Sequence, residues 1–117
     1  MTMYNSFQQS DMIAVGTALS AGVQINNIDI VGLLMPAVWD AAAITLQQSV
    51  DGAAWSGIYD QNGVEMTLQA AAGRYIVLPP SLLAGIGWIR IRSGTTATPV
   101  NQTANRTLSW FLRNYGR

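Results

Sequence analysis

Catalysis and metal binding need residues that hold a proton, a cation or an electron pair, and this chain has few. Its 117 residues include six carboxylates (Asp11, Asp29, Asp40, Asp51, Asp60 and Glu65) and six arginines. There is no lysine, histidine or cysteine, and the net charge is zero. Without histidine the commonest general base and metal ligand is missing, and no histidine-based triad can be drawn. Without cysteine there is no disulfide, thiolate nucleophile or thiolate metal site. A glycosidase would need two carboxylates held across a cleft. Asp51 and Asp60 belong to turn sequences that account for them, and Glu65 falls on the outer face of an expected strand. Asp51, Asp60 and Asn62 could offer oxygens to calcium, but their spacing matches no calcium loop. Asn101-Gln102-Thr103 and Asn105-Arg106-Thr107 fit the glycosylation acceptor pattern, which has meaning only in a secreted chain. The expectation is a protein that is not an enzyme, with no catalytic residues, cofactor or metal. A neutral charge balance also argues against nucleic acid as a partner.

Binding chemistry is better represented. Trp39, Trp55, Trp88 and Trp110 are many tryptophans for a chain of this size, and arginine is the only cation. Trp110 alternates with Leu108 and Leu112, which reads as core. Trp88 alternates with Ile89 and Ile91 and shares its face with Arg90 and Arg92. If the isoleucines point inward, tryptophan and two arginines point outward, the side chains that dominate interfaces. Trp55 lies beside a hairpin, and Trp39 follows an apolar run where burial at a subunit contact is expected. The candidate interface residues are therefore Trp39, Trp55, Trp88, Arg90 and Arg92.

The remaining composition fits a protein built for contact. Half the residues are apolar and only 10% are charged, with fifteen Asn and Gln, nine Thr and eight Ser supplying the polar surface. Such a weakly charged, neutral surface associates readily. Residues 1–10 are polar and lack the basic start and apolar core of a signal peptide. Neither long uncharged stretch supplies the roughly twenty apolar residues of a membrane span, so no membrane partner is expected.

These side chains must be positioned mostly by strands. Ile44, Leu46, Gln48 and Val50 alternate with Thr45, Gln47 and Ser49, the period of a half-buried strand, and Asp51-Gly52 marks a turn. Further strands are expected over 54–59, 64–70, 73–78, 88–92 and 106–113, with Asp60-Gln61-Asn62-Gly63 as a hairpin loop. The 64–70 segment has the clearest alternation. Pro79-Pro80 ends one strand, and Ser81 could cap a single helical turn over 81–84. Segments 12–16, 23–26 and 28–35 also read as strands. The last is apolar on both faces, as befits a central or interface strand. A short helix over 36–43 is conceivable. About eight short strands with turns between them predict an all-β, two-sheet β-sandwich, jelly-roll-like in connection. Residues 1–117 form one domain, with 1–10 a candidate flexible N-terminal arm.

Several short stretches carry a resemblance when taken in order. They begin with Leu46-Gln47-Gln48-Ser49-Val50-Asp51-Gly52, then Trp55, Ile58-Tyr59-Asp60 and Gly63-Val64-Glu65. They continue with Arg74, Ile76, Leu78, Pro80 and Leu83-Ala84-Gly85. Trp88-Ile89-Arg90-Ile91-Arg92-Ser93-Gly94-Thr95, Pro99-Val100-Asn101-Gln102 and Arg106 complete the series. This order resembles small virion structural proteins of tailed bacteriophages, over about residues 44–113. The resemblance implies a capsid decoration, or cement, protein that bridges and stabilises neighbouring major capsid subunits. It implies the major capsid protein as partner, a homotrimer, and a place in the virion after assembly in the bacterial host cytoplasm. The alternative is a tail, baseplate or fibre component binding host-surface glycan, with tryptophan stacked on sugar rings. A cellular adaptor domain is a further possibility. A lone exposed tryptophan in a concave, amide-rich surface would favour the glycan reading, and a flat surface the cement reading.

Overall fold

The computed structural model describes residues 3–26 and 28–116. Nine strands occur among them and no helix. They are β1 (Met3–Ile13), β2 (Val23–Gln24), β3 (Asp29–Leu34), β4 (Ile44–Ser49), β5 (Ser56–Gly57), β6 (Thr67–Leu68), β7 (Tyr75–Val77), β8 (Trp88–Ser93) and β9 (Arg106–Gly116). One sheet, sheet A, has the order β1-β9-β3-β7. The other, sheet B, has the order β2-β8-β4-β5, with β6 also paired to β4. All pairings are antiparallel, and first strands pair with last: β1 with β9, β2 with β8, β3 with β7, β4 with β5 and β6. This is a long folded-over hairpin rolled into two facing sheets, a jelly roll.

Alternation along each central strand supplies the core between the sheets. Ile44 and Leu46 of β4, Ile89 and Ile91 of β8, and Leu108 and Trp110 of β9 are all fully buried. β3 reaches the same layer through Ile30 and Leu33. Its register against β9 shifts between Ile30 and Gly32, so Val31 is an extra residue in a β-bulge. The bulge lets Ile30 and Leu33, three apart, both face inward while Gly32 and Leu34 face out.

Two buried polar clusters tie the loops to the sheets. Asp11 is only 2% exposed. It accepts hydrogen bonds from Ser20 Oγ (2.8 Å), the Gly22 N–H (2.9 Å) and Trp110 Nε1 (3.3 Å). Burial raises its pKa above the ordinary carboxylate value, although these three donors pull it the other way. Arg106, also buried, pairs with Asp40 (3.0 Å) and donates to Gln102 Oε1 (3.1 Å), which anchors the β3–β4 connection to the loop before β9. Asp40 is held below the usual carboxylate pKa, first by the Thr103 hydroxyl and its backbone N–H, with Arg106 adding to them.

Several local expectations are corrected. From Met3 onward the expected N-terminal arm is the first part of β1, paired with β9 along its whole length; residues 1 and 2 lie outside the described residues. The strand expected at 12–16 ends at Ile13. The 64–70 segment splits its pairing: Glu65 bridges Tyr59, Met66 N–H donates to Ile58, and only Thr67–Leu68 pairs with β4. Its alternation is real, but two different neighbours share the ladder. Segments 36–43 and 81–84 form turns and bends instead of helices, being too short to complete a helical ladder.

Candidate interaction face

Strand β8 places Ile89 and Ile91 inward, so Trp88, Arg90 and Arg92 project from the outer side of sheet B. Ser49, Gln47 and Thr45 of β4 stand opposite them in register. Loops then fold over this row. Trp55 arrives from the β4–β5 loop, and the Arg90 guanidinium carbon lies 4.4 Å from its ring centre, a cation–π stack. Arg90 Nε also donates to Gln47 Oε1 at 2.6 Å. Burial, and then the nearby Arg92 charge, lower the Arg90 pKa below the ordinary arginine value.

The other candidates are engaged as well. Trp88 is roofed by the turn at Gly52, where an added Cβ would lie 2.9 Å from its indole. Gly52 has φ +77°, a conformation that side-chain-bearing residues adopt only with strain. Asp51 builds this turn by accepting the N–H groups of Ala53 and Ala54 (2.9 and 3.0 Å). Those bonds, led by Ala54, hold its carboxyl below the usual pKa. Arg92 donates to Thr96 Oγ1 and lies 3.8 Å from Glu65, which also accepts the Thr96 hydroxyl and backbone N–H.

Four of the five candidate residues are thus gathered on one face. Trp39 stands apart in the β3–β4 connection, where it packs half-buried against the chain's own core and donates Nε1 to Ala42 O (3.1 Å). Beside the arginine row runs an open groove of about 800 Å³, lined by Arg90, Arg92, Thr17, Leu19, Pro99 and Asn101 among others. No tryptophan lines it, and all four tryptophans are buried or half-buried.

The outer side of sheet A is different; of its residues the sequence marks only 28–35, as a central or interface strand, and none of the five candidates. Register places Leu34 beside Tyr75, and Gly32 between Val77 and Phe111. Tyr75 lies across Gly32, where an added Cβ would collide with its hydroxyl, and meets Phe111 edge-on at 5.1 Å. Val77, Tyr75 and Leu34 remain 75%, 44% and 37% exposed, and Met12 on the outward side of β1 is 42% exposed. The available signal was the two-faced apolar composition of 28–35, repeated in Tyr75-Ile76-Val77-Leu78. No protein-family model matches this sequence, and comparison with curated proteins gives no match.

Proposed function

We propose that the protein is a structural component of a tailed-phage virion, specifically a decoration protein that lies on the capsid and bridges neighbouring major capsid subunits. The observation that carries this reading is the apolar strip of Leu34, Tyr75 and Val77 on the outside of a jelly roll with net charge zero. Apolar side chains aligned on a strand face suit a broad permanent contact, and the charges that share this face, Asp29 and Arg113, pair with each other (3.4 Å). The Trp88–Arg90–Arg92 face offers a second, more polar surface, so one small domain could touch two neighbours. Bridging of that kind needs binding energy at both faces and no chemistry at either.

The alternative, a tail or fibre component binding host glycan, draws less support. Sugar stacking needs an open aromatic face. Trp55 already stacks on Arg90, and no tryptophan lines the groove. The deciding experiment is quantitative mass spectrometry of purified particles. A copy number equal to the major capsid protein, or a fixed large fraction of it, is the expected result. A few to a few tens of copies would transfer the protein to the tail or a vertex, and absence from particles would remove both readings.

A further inference from the structure

The four sheet edges of this sandwich are protected unequally. In sheet B the edge strands β2, β5 and β6 have two residues each. In sheet A, β7 has three and runs into Pro79-Pro80. Short strands and prolines are the usual devices that stop edges from pairing with other chains. The remaining edge, β1, has eleven residues. Its last turn of backbone is covered, because the Ala21 N–H donates to Met12 O (3.2 Å) and Ile13 bridges Ser20. That bond also fixes the phase of the strand. Met12 directs its backbone groups away from β9, so by strand alternation Tyr4, Ser6, Gln8 and Ser10 do the same. From Met3 to Ser10 the edge contains no charge, proline or glycine, and β1 has no bulge in its register with β9.

We propose that Met3–Ser10 is a strand-addition site occupied by the same segment of a second copy, giving an isologous two-fold pair. Two antiparallel β1 edges would join both copies of sheet A into one sheet of order β7-β3-β9-β1-β1-β9-β3-β7. Two features favour a second copy as the occupant. A two-fold axis makes identical edges antiparallel without any further fitting, and an uncharged edge sets no like charges against each other in any register. A three-fold ring built through sheet edges would instead need a second, different edge of comparable length, and β2, β5, β6 and β7 are too short. The inference concerns the chain's self-association and stands whether or not the virion reading holds.

The test is sedimentation equilibrium on the full chain, paired with hydrogen exchange. A dimer is expected, with the Gln8 and Ser10 amides exchanging at least about tenfold more slowly at concentrations where it forms. Gln8→Pro removes an N–H that β9 does not use, so the β1–β9 ladder survives while the edge is blocked. This variant should weaken dimerisation by about tenfold or more. Should it fail to fold, exchange at Gln8 and Ser10 in the unmodified chain decides alone. A monomer at every concentration, a trimer, or a dimer whose Gln8 and Ser10 amides exchange freely would overturn the proposal. Protection of these amides only when the protein sits on particles would assign the edge to a strand of another protein.

Discussion

The two outer faces of this sandwich are made from opposite materials. Outside sheet B stand tryptophan and arginine, side chains with the strongest binding chemistry available to the chain, and each is already held by another part of the same molecule. Arg90 lies between Trp55 and Gln47, Trp88 beneath the Gly52 turn, and Arg92 against Glu65 and Thr96. Outside sheet A stand leucine, valine and tyrosine, with Tyr75 against Gly32 and Phe111 and a single ion pair, Asp29–Arg113, beside them among the described residues. Residue type alone points to the first face as the contact surface. The exposed apolar strand residues Leu34, Tyr75 and Val77 are on the second. Substitutions should therefore act on stability at sheet B and on association at sheet A.

The largest loss of stability is expected just beneath the sheet B face. Asp11 accepts the Gly22 N–H, and Trp55 lies directly against Gly22, where an added Cβ would be 2.8 Å from its ring. Asp11→Ala leaves Ser20, Gly22 and Trp110 donors without their acceptor and should cost roughly 3 kcal/mol in a denaturant titration. The same residue has a pH signature. Because its folded pKa is raised, the native state holds the proton more tightly than the unfolded chain. Its contribution to stability is thus greatest below the ordinary carboxylate pKa and declines as pH rises through the folded value. Asp40 and Asp51, with lowered values, act in the opposite direction: their contributions are present above the ordinary value and lost as pH falls through the folded one. Asp11→Asn should consequently remove only the decline above the ordinary value, leaving the acid-side loss. An unchanged slope there would show that Asp11 titrates normally.

Trp88 comes next. A purely external tryptophan could be truncated with little effect on folding, but this one supports the turn that covers it. Trp88→Ala should cost about 2 kcal/mol and loosen the turn around Gly52, visible as faster amide exchange at Ala53 and Ala54. A change within about 0.5 kcal/mol would restore Trp88 to the role of a free binding residue.

How far the sequence disclosed this arrangement depends on the range of the contacts. β4, β8 and the 106–113 part of β9 are visible because each has one face toward the core, and burial leaves a period of two. The first half of β1 left no such pattern: Met3, Tyr4 and Phe7 are scattered among Asn, Ser and Gln without a period of two. The outward phase of Trp88, Arg90 and Arg92 followed from two isoleucines. What covers them did not, since Gly22, Gly52, Trp55 and Glu65 arrive on loops whose paths are set by tertiary packing. The exposed strip was concealed for a related reason. Tyr75 and Val77 read as ordinary strand residues until the Val31 bulge and the β3–β7 register reveal which side of the sheet they occupy.

A smaller effect tests whether the sheet B face is fastened internally. In a double-mutant cycle of Trp55→Ala and Arg90→Ala, the coupling should be about 1 kcal/mol, the range of a partly desolvated cation–π pair. Arg90→Lys should forfeit most of it, because the flat guanidinium stacks on an indole as an ammonium does not. No coupling would mean that the two side chains are placed together without holding one another, leaving Trp55 available to a partner.

The smallest effect on folding should accompany the clearest effect on assembly. Val77 is 75% exposed, and its outward neighbours on β3 and β9 are Gly32 and Phe111. Val77→Ser removes little buried area and should leave stability within about 0.5 kcal/mol. If the sheet A strip is the contact with the capsid, that valine becomes buried on binding. Its loss then forfeits roughly 1.5 kcal/mol, or about tenfold in affinity for particles lacking the protein. The matching control is Arg92→Gln on the opposite face, which should weaken the link to Glu65 and change particle binding less. Binding unaffected by Val77→Ser and abolished by Arg92→Gln would reverse the assignment. Sheet B would then be the contact face despite its internal fastenings, and the exposed strip would serve some other neighbour.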